Sequence, residues 1–413
     1  MRSSGVDKSL ITVSLLLMLF GLATLYSAGQ TDVPTRAAGV WHRQLMWFGV
    51  GIVGAAVMYN VSLRVLEWVA PVLYAFSILL LGIVLLVGTG AGTAESSHSW
   101  LSVGGHQIGQ PSELAKVATV LMLARWLSGR KEPPRGLRDL IGPALIVGVP
   151  CVMVLKQPDL GSALVFIGIL FAMLFWSGVR PRLLFLMVSP GLSLLLAFNT
   201  LAWSAWIVVF VAILIAWRPY VWDWTIFLVA NVAMGAIAMP LWSRLAPYQQ
   251  NRLLTFLNPE VDPRAAGYHA IQSRVAIGSG GWFGTGYTQG PQKRLAFLPE
   301  QHTDFVFPIV GEELGFVGVM VALCLFLALF LTLLRIARRA TDPFSSLVTF
   351  GILGLLFTHV FENVGMTVNL MPITGIPLPF FSYGGSFFII CALCLGLAFR
   401  VAWDSRQSGY PDI

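Results

Sequence analysis

The residues best suited to do chemistry lie in one polar stretch, residues 248–318, of an otherwise apolar chain. Within it, Asp262 is followed by Pro263, which disfavours helical geometry at the aspartate, so its carboxylate is expected to project from a loop. Two interpretations stay open on these residues alone. The pair forms a structural Asp–Pro turn, or the carboxylate is a general base that accepts a proton during a reaction.

Basic residues accumulate in the same region, which we predict to be a large extracytoplasmic loop at residues 244–305 that carries the active site. They form either a solvated surface or the binding site of an anionic ligand, such as a phosphate-bearing lipid head group. Arginine offers phosphate two parallel hydrogen bonds, and lysine offers a compact point charge. The bases are Arg244, Arg252, Arg264, Arg274, Lys293 and Arg294.

Acids and a histidine follow, in the order His302, Asp304, Glu312 and Glu313. In one interpretation they begin a helix, with Thr303 or Asp304 as its cap and the acids near its positive end. In the other, their oxygen atoms hold a divalent cation. Both interpretations stay open at this point.

The glycine-rich run at residues 278–286 does not predict a nucleotide site. After Gly278 and Gly280, the third glycine of a GxGxxG motif falls on Phe283, and no phosphate-binding lysine follows. The run is expected to be a tight turn, closely packed against lipid or substrate, with Trp282 and Phe283 as interface anchors. No nucleotide cofactor is predicted.

Polar residues also interrupt apolar segments, where each is costly and therefore a candidate for function. In QPSELAK, Glu113 and Lys116 are three residues apart, so they can pair on one helix face. They form either a structural pair or a site at which Lys116 binds an anion. In KQPDLGS, Lys156 and Asp159 are expected to neutralise each other at a turn.

A further interruption lies near the C-terminus. His359 and Glu362 share one helix face, and three prolines follow between residues 372 and 379. Backbone of this kind at membrane depth is tolerated only where it is buried in protein or lines a cavity. A re-entrant segment beside a pocket is therefore predicted.

The elements that must position these residues are membrane helices. Of the 413 residues, 56% are hydrophobic and only 11% are charged, and the mean hydropathy is +0.77. A soluble chain carries about 25% charged residues, and a β-barrel would alternate apolar and polar residues. The composition predicts an all-α, polytopic transmembrane helix bundle that forms a single domain, residues 1–413.

Twelve apolar runs approach the roughly 20 residues that a bilayer requires. Most of the 26 basic residues fall in cytoplasmic segments if both termini are cytoplasmic, which predicts that orientation. Runs 183–199 and 201–217 form either a tight hairpin or one broken helix. The runs lie at 9–28, 43–60, 68–88, 111–127, 140–156, 160–177, 183–199, 201–217, 222–243, 306–334, 344–369 and 382–403.

Six motifs, in order, resemble the SEDS family of bacterial cell-wall synthesis. They are QPSELAK, KQPDLGSAL, YQQNRLLTFLNPEVDPRAAGYHAIQS, AIGSGGWFGTG, FLPEQHTDFVFPIVGEELGFVG and PITGIPLPFFSYGGS. KQPDLGS and PITGIPLPF favour the RodA-like, elongation branch over the FtsW-like, division branch. The resemblance implies a core of ten helices, so the long run 183–243 suggests two additional helices.

The resemblance implies a peptidoglycan glycosyltransferase of the bacterial cytoplasmic membrane. Such an enzyme polymerises lipid II on the outer face and acts with a class B penicillin-binding protein. A divalent cation, Mg²⁺ or Mn²⁺, is the implied cofactor, and no nucleic-acid partner is expected. A lipid II flippase and a non-catalytic scaffold for the penicillin-binding protein remain the alternatives.

The resemblance also carries over residue roles. It assigns the essential loop acid to Asp262, the conserved outer tryptophan to Trp100 and the essential lysine to Lys116. Further candidates to bind the substrate are Arg252, Arg274, His269, Lys293, Arg294, His302, Glu113 and Ser382, and candidate metal ligands are Asp304, Glu312 and Asp159.

The chain departs from the family pattern at several positions. Asn369 stands where glycine is usual, and Glu362 stands where an apolar residue is typical. Ala265 replaces a usual glycine, and Phe387 follows Ser386 where a second serine is common. No family role transfers to Glu362.

Overall fold

A computed structural model describes residues 7–88, 99–103, 106–217, 221–245, 250–251, 254–256, 266–298 and 300–407. The regular secondary structure of the described part is helical apart from one short antiparallel hairpin, β1 (Leu101–Val103) and β2 (His106–Gly109). Every predicted apolar run is a helix, so the prediction of about twelve long helices in an all-α fold is confirmed.

The helices run in chain order along the described residues. They are α1 (Lys8–Ala28), α2 (Val40–Asn60), α3 (Leu63–Val87), α4 (Pro111–Ser128), α5 (Leu137–Lys156), α6 (Leu160–Trp176), α7 (Pro181–Leu196), α8 (Thr200–Trp217), α9 (Val221–Arg244), α10 (Ala266–Ser279), α11 (Pro291–Arg294), α12 (Val306–Arg339), α13 (Pro343–Thr367) and α14 (Gly385–Gln407). Eight of them are long and apolar enough to cross a membrane, and α6 and α7 are shorter apolar helices.

The bundle has a buried centre and a lipid-facing rim. In α13 and α14, 72% and 67% of the most apolar window is buried, against 11% in α8. Helix α4 packs against α13 and buries most of its residues, including Lys116. The polar groups of α4 and α13 are therefore shielded from both water and lipid.

Helices α7 and α8 form a hairpin, which settles the question left open by the sequence. The ring of Phe185, near the start of α7, lies 5.5 Å from that of Trp217 at the end of α8. Trp203 donates a hydrogen bond of 2.9 Å to Ser193 across the same pair. The contacts join opposite ends of the two helices, so the helices are antiparallel.

Helix prolines leave carbonyl groups without their usual donors, because proline has no N–H. Pro71 frees the carbonyl of Glu67, which accepts a hydrogen bond of 2.9 Å from Arg125 in α4. Pro150 frees the carbonyl of Ile146, which accepts one of 2.8 Å from the hydroxyl of Tyr74.

Such partners are needed inside a bilayer, where no water replaces the missing donor. Pro190 in α7 repeats the pattern, since the freed carbonyl of Leu186 accepts a hydrogen bond of 2.7 Å from Ser189. At Pro71 and Pro150 the donor therefore comes from a neighbouring helix, and at Pro190 it comes from α7 itself.

The glycine-rich turn inserts into a break in α12. Gly315 has φ 62°, a left-handed value that interrupts the helix. The N–H groups of Phe316 and Val317 donate to the carbonyls of Gly281 and Trp282, at 2.9 and 3.1 Å. These are bonds that an unbroken helix would make internally.

The exchange is completed from the other side. Thr285 and Gly286 donate their N–H groups to the carbonyls of Glu312 and Glu313, at 2.9 and 3.1 Å. A Cβ added to Gly280 would lie 1.9 Å from a main-chain oxygen, so a side chain does not fit there. The predicted close-packed turn is confirmed, but the lipid or substrate predicted as its packing partner is replaced by the backbone of α12.

Candidate active site

The charged centre of the bundle is built around Lys116, which is fully buried. Pro111 begins α4, as expected for the first helical position, and places Glu113 and Lys116 on one face. The ammonium of Lys116 lies 2.7 Å from Glu113 Oε1 and 3.1 Å from His359 Nε2. The pairing of Glu113 with Lys116 predicted from the sequence is confirmed.

His359 connects this lysine to the irregular segment that follows α13. Its Nδ1 lies 3.3 Å from the carbonyl of Pro377, which can only accept a hydrogen bond. The geometry therefore places the proton on Nδ1 and leaves Nε2 as the acceptor for Lys116. The sequence marked His359 as unusual but did not connect it with Lys116.

Several acceptors in this centre have no hydrogen-bond partner among the described groups. They include the second oxygen of Glu113 and both carboxylate oxygens of Glu362, which is 1% exposed. The carboxylate of Glu362 still interacts with the hydroxyl of Thr374 and with the charges of Lys116 and Asp159. A buried acid without a full set of hydrogen bonds is costly in a membrane and is a candidate for function.

The proline-rich segment packs against the segment that carries His302 and Asp304. The side chain of Asn363 donates to the carbonyls of Asp304 and Ile376, at 2.9 and 2.8 Å. The hydroxyl of Ser382 donates to the carbonyl of Thr303 at 2.5 Å. The end of the 300–304 segment and the irregular segment thus form one wall, next to the His359–Pro377 contact.

Two arginines that the sequence analysis did not select lie near His302. Arg36 and Arg43 are exposed, on the connection to α2 and on its first turn. Burial lowers the pKa of His302 below its usual range, and the nearby charges of Arg36 and Arg43 lower it further, against an opposing effect of Glu300. At neutral pH the ring is therefore mainly neutral, and the positive charge here belongs to the arginines. The sequence did contain one sign of their importance. Both arginines fall in a segment predicted to lie outside, where basic residues are uncommon.

Lys293 is buried, although the sequence analysis made it a candidate to bind the substrate. Its ammonium lies 2.6 Å from Glu313 and 2.9 Å from the hydroxyl of Ser27, and both it and Glu313 are almost fully buried. Glu312 accepts the main-chain N–H groups of Gln292 and Lys293, at 2.6 and 3.4 Å. These groups fasten α11 between α1 and α12. The predicted contact between Lys293 and a substrate stays a prediction.

The other candidate substrate ligands are spread over the loop side of the bundle. Arg294 pairs with Asp32 at 2.9 Å, and the ring of His269 lies 5.5 Å from that of Phe305. Arg274 is exposed on α10, and Trp100 is half-buried just before β1. The predicted base Asp262 and the ligand candidate Arg252 lie outside the described residues.

The three candidate metal ligands do not form one site. Asp159 caps α6 through the N–H of Ser162 at 2.9 Å and accepts a hydrogen bond of 2.8 Å from Gln110. Glu312 is held by main-chain N–H groups, as described above. Among the described residues, no group of three or more His, Cys, Asp or Glu side chains is placed to hold a metal ion.

Two local predictions were wrong. Lys156 is exposed at the end of α5, and Asp159 makes its hydrogen bonds to Gln110 and Ser162 instead. Helix α12 begins after Phe305, which makes no side-chain cap, so neither Thr303 nor Asp304 caps it. The hydroxyl of Thr303 instead bonds to Glu300, three residues earlier.

A profile of the cell cycle protein family of FtsW, RodA and SpoVE matches residues 7–210 and 192–407. The chain belongs to this family. The matched stretches overlap at residues 192–210, within the α7–α8 hairpin. The family membership predicted from the six motifs is thereby confirmed.

Relatives match along the whole chain. The peptidoglycan glycosyltransferase RodA of Treponema pallidum is 36% identical, covering 98% of this chain and 100% of its own length. The peptidoglycan glycosyltransferase MrdB of Escherichia coli K12 is 34% identical, covering 96% and 93%. A probable peptidoglycan glycosyltransferase FtsW of Geobacter metallireducens is 33% identical, covering 98% and 96%. The RodA-like assignment is supported, and the FtsW relative is only slightly less identical to this chain.

Comparison with solved structures supports the same family. A chain of a peptidoglycan synthase complex, described as coordinating polymerization and crosslinking, matches with a TM-score of 0.72 at 30% identity. The alignment covers 97% of this chain and 99% of that one. RodA of Thermus thermophilus matches with a TM-score of 0.62 at 28% identity, covering 97% and 98%. With its membrane-spanning helices, the chain is a multi-pass protein of the bacterial cytoplasmic membrane.

Proposed function

We propose that this chain polymerises lipid II into glycan strands on the outer face of the cytoplasmic membrane. The observation that carries the proposal is similarity over the whole chain to proteins named peptidoglycan glycosyltransferase, at 36% and 34% identity. Its enzyme class is that of these relatives. The lipid II substrate and the roles of individual residues are the proposal's own.

The reaction is a single displacement with inversion. A hydroxyl oxygen of the acceptor sugar attacks the anomeric carbon of the donor, and the bond from that carbon to the pyrophosphate oxygen breaks. The electron pair leaves with the lipid pyrophosphate, and the hydroxyl proton passes to the carboxylate of Asp262. An α-linked donor then gives a β-linked product without a covalent enzyme intermediate, so one positioned base suffices.

The leaving pyrophosphate gains negative charge, which positive groups already in place stabilise. Arg36 and Arg43 are the exposed arginines beside His302, and guanidinium groups can bind phosphate with two hydrogen bonds. Lys116 lies deeper, and its charge is shared with Glu113. We assign the arginines to the pyrophosphate and Lys116 to the electrostatics of the bundle centre. The requirement for Mg²⁺ or Mn²⁺ stays a prediction, and no step depends on it.

The proposed partner is a class B penicillin-binding protein that cross-links the new strand. The support is the matching chain from a complex that coordinates polymerization and crosslinking. If all twelve long helices cross the membrane, both termini lie on the same side, and we propose that this is the cytoplasmic side. This orientation agrees with the distribution of basic residues.

The test uses the purified full-length protein in liposomes with labelled lipid II. We expect glycan strands from the wild type and none from Asp262→Asn, which keeps the shape of the side chain but cannot accept the proton. Wild-type turnover by that variant would refute the assignment of the base. Lipid II exchange between leaflets without polymer would support a flippase, and neither activity would support a scaffold.

A further inference from the structure

A small basic cavity lies at one end of the bundle, where the start of α1 meets the ends of α12 and α14. Its charged lining residues are Asp7, Arg335, Arg339 and Arg406. The cavity has a volume of about 30 Å³. A space of this size holds about two water molecules, and two oxygens of a phosphate group fill it equally well. Three guanidinium groups face one carboxylate around it, so positive charge is in excess.

Asp7 holds the three helix ends together. Its carboxylate caps α1 by accepting the N–H of Leu10 at 3.0 Å. It also lies 3.2 Å from Nη2 of Arg335 and 3.1 Å from Nη2 of Arg406. Asp7 is only 6% exposed, whereas the side chains of the two arginines are 41% and 39% exposed. The acid is enclosed by its partners, and both arginines still reach the surface.

Arg335 keeps donors for a further anion. Its hydrogen bonds within the described part of the chain, to Asp7 and to the hydroxyl of Ser9, all come from one nitrogen, Nη2. A guanidinium has five N–H donors, so those on Nη1 and Nε remain for a ligand. Arg339 lies one turn further along α12 and lines the same cavity. The cavity therefore offers phosphate both charge and directed donors.

Exposed apolar side chains lead away from the cavity along two neighbouring helices. On α12, Leu327 and Leu331 precede Arg335 by eight and four residues, so the three share one helix face. On α1, which packs against α12, Ile11 and Leu15 lie one and two turns beyond the cavity. All four apolar side chains are exposed. A basic cavity that continues into an apolar surface matches a molecule with a phosphate head and acyl chains.

The cavity also lies at the level where a lipid head group is expected. The apolar part of α12 ends at Leu334, and three arginines follow within the next five residues. Arg406 lies in the last turn of α14. Arginines are common at the cytoplasmic membrane surface, where they attract anionic lipids. Those of this cavity differ from scattered surface charges because they converge on one space from two helices.

We propose that this cavity binds the phosphate of an anionic phospholipid, with Arg335 as its main ligand and the acyl chains along the α1–α12 surface. Arginine suits phosphate because it can donate two parallel hydrogen bonds. An acidic peptide carries the same charge, but the apolar surface extends below the arginines into the membrane, where a soluble peptide does not follow. The site is separate from the Lys116 centre and does not depend on the proposed function.

Native mass spectrometry tests the proposal by counting bound lipids. The full-length protein is taken from vesicles of phosphatidylcholine that contain a minor share of phosphatidylglycerol. We expect the wild type to retain phosphatidylglycerol and Arg335→Gln to retain one molecule fewer. The phosphatidylglycerol concentration that half-fills this site should rise about tenfold, the effect of losing charge-assisted hydrogen bonds. Arg406 still pairs with Asp7 in this variant, which supports folding.

Arg338→Gln is the matched control. Arg338 is exposed on the same turn of α12 and does not line the cavity, so the variant removes the same charge at the same surface. It should retain as much phosphatidylglycerol as the wild type. Equal losses in Arg335→Gln and Arg338→Gln would show general attraction to surface charge and would overturn the proposal.

Arg339→Gln carries the test if Arg335→Gln does not fold, because it leaves the pair of Asp7 with Arg335 in place. A loss of the same kind is expected. Wild-type retention of phosphatidylglycerol by Arg339→Gln and by every folded Arg335→Gln sample would leave these arginines to the Asp7 contact or to an acidic protein. That result would overturn the lipid site.

A second measurement separates a lipid from free phosphate. A ligand that binds only the folded protein raises its melting temperature. Dihexanoyl phosphatidylglycerol should raise it more than glycerol phosphate at the same concentration, because only the lipid contacts the apolar surface. Equal rises would show a site for free phosphate and would overturn the assignment of a lipid.

Discussion

Two lysines are fully buried among the described residues, and their surroundings differ. Lys293 pairs with Glu313 at 2.6 Å, and the hydroxyl of Ser27 contacts both carboxylate oxygens of Glu313, at 2.7 and 2.5 Å. Lys116 pairs with Glu113 at 2.7 Å, but the second oxygen of Glu113 has no partner. The first pair is complete and the second is not.

The difference indicates a structural role for the Lys293 pair and a functional role for the Lys116 pair. A buried ion pair is held only if further hydrogen bonds satisfy its remaining atoms. Around Lys293 those bonds are present, and the pair joins α11 to α12. Around Lys116 those bonds are incomplete, and Glu362 is an additional buried acid there whose carboxylate oxygens lack hydrogen bonds of ordinary geometry. Hydrogen-bond acceptors without partners at the bundle centre are expected of a site that binds a substrate or changes conformation.

The largest expected effect is on activity at Lys116. Lys116→Met is expected to abolish polymerisation, because it removes the positive charge from the bundle centre. In Lys116→Met/Glu113→Gln no buried carboxylate of the pair remains unpaired, so stability should largely return while activity does not. Melting temperature and glycan synthesis are measured together. Recovery of activity in the double variant would show that this pair also has only a structural role.

Lys293 should behave in the opposite way. Lys293→Met leaves Glu313 buried and unpaired, which costs about 3–5 kcal/mol of stability. In Lys293→Met/Glu313→Gln, both the melting temperature and glycan synthesis should return towards wild-type values. A double variant that is stable but makes no glycan would instead show that Lys293 has a role in the active site.

Glu362 tests the open side of the comparison. Glu362→Leu removes two unsatisfied oxygens from an apolar position, so we expect an increase in stability of about 1–3 kcal/mol. Glu113→Leu is the control, because it leaves the ammonium of Lys116 without its carboxylate and should destabilise the protein. Thermal unfolding in detergent measures both. A destabilised Glu362→Leu variant would mean that Lys116 depends on both acids.

The smallest expected effect lies outside both centres. Tyr74→Phe leaves the carbonyl that Pro150 frees without a donor, which costs about 1 kcal/mol or more. Tyr287→Phe also removes a hydrogen bond of 2.8 Å to a main-chain carbonyl, that of Ala23, but Ala23 lies inside α1 and keeps its helical partner. Equal losses of stability in the two variants would contradict the role given to the freed carbonyl.

The sequence predicted most of the fold because the membrane limits the choices. Long apolar runs can only be helices there, and all of the predicted runs are. Glu113 and Lys116 were paired correctly because three residues separate them on one helix. His359 joins the same lysine from 243 positions away, and helical spacing carries no information about such a contact.

The loop side was predicted less well, for a related reason. The bases of residues 244–305 were grouped by their closeness in sequence, yet Lys293 turned inward to Glu313 and Arg294 pairs with Asp32. Arg36 and Arg43 act on His302 through their charges, although more than 250 residues separate them from it in sequence. Burial decides which charges remain available to a ligand, and burial is set by tertiary packing.

The inserted glycine turn has a consequence for biogenesis. Gly281 and Trp282 are synthesised about 35 residues before the N–H groups of Phe316 and Val317 that their carbonyls accept. At roughly 5–20 residues per second, the turn waits a few seconds for its partner. The turn can make these hydrogen bonds only after the start of α12 has been synthesised, so the synthesis of that helix sets the moment at which the turn is fixed.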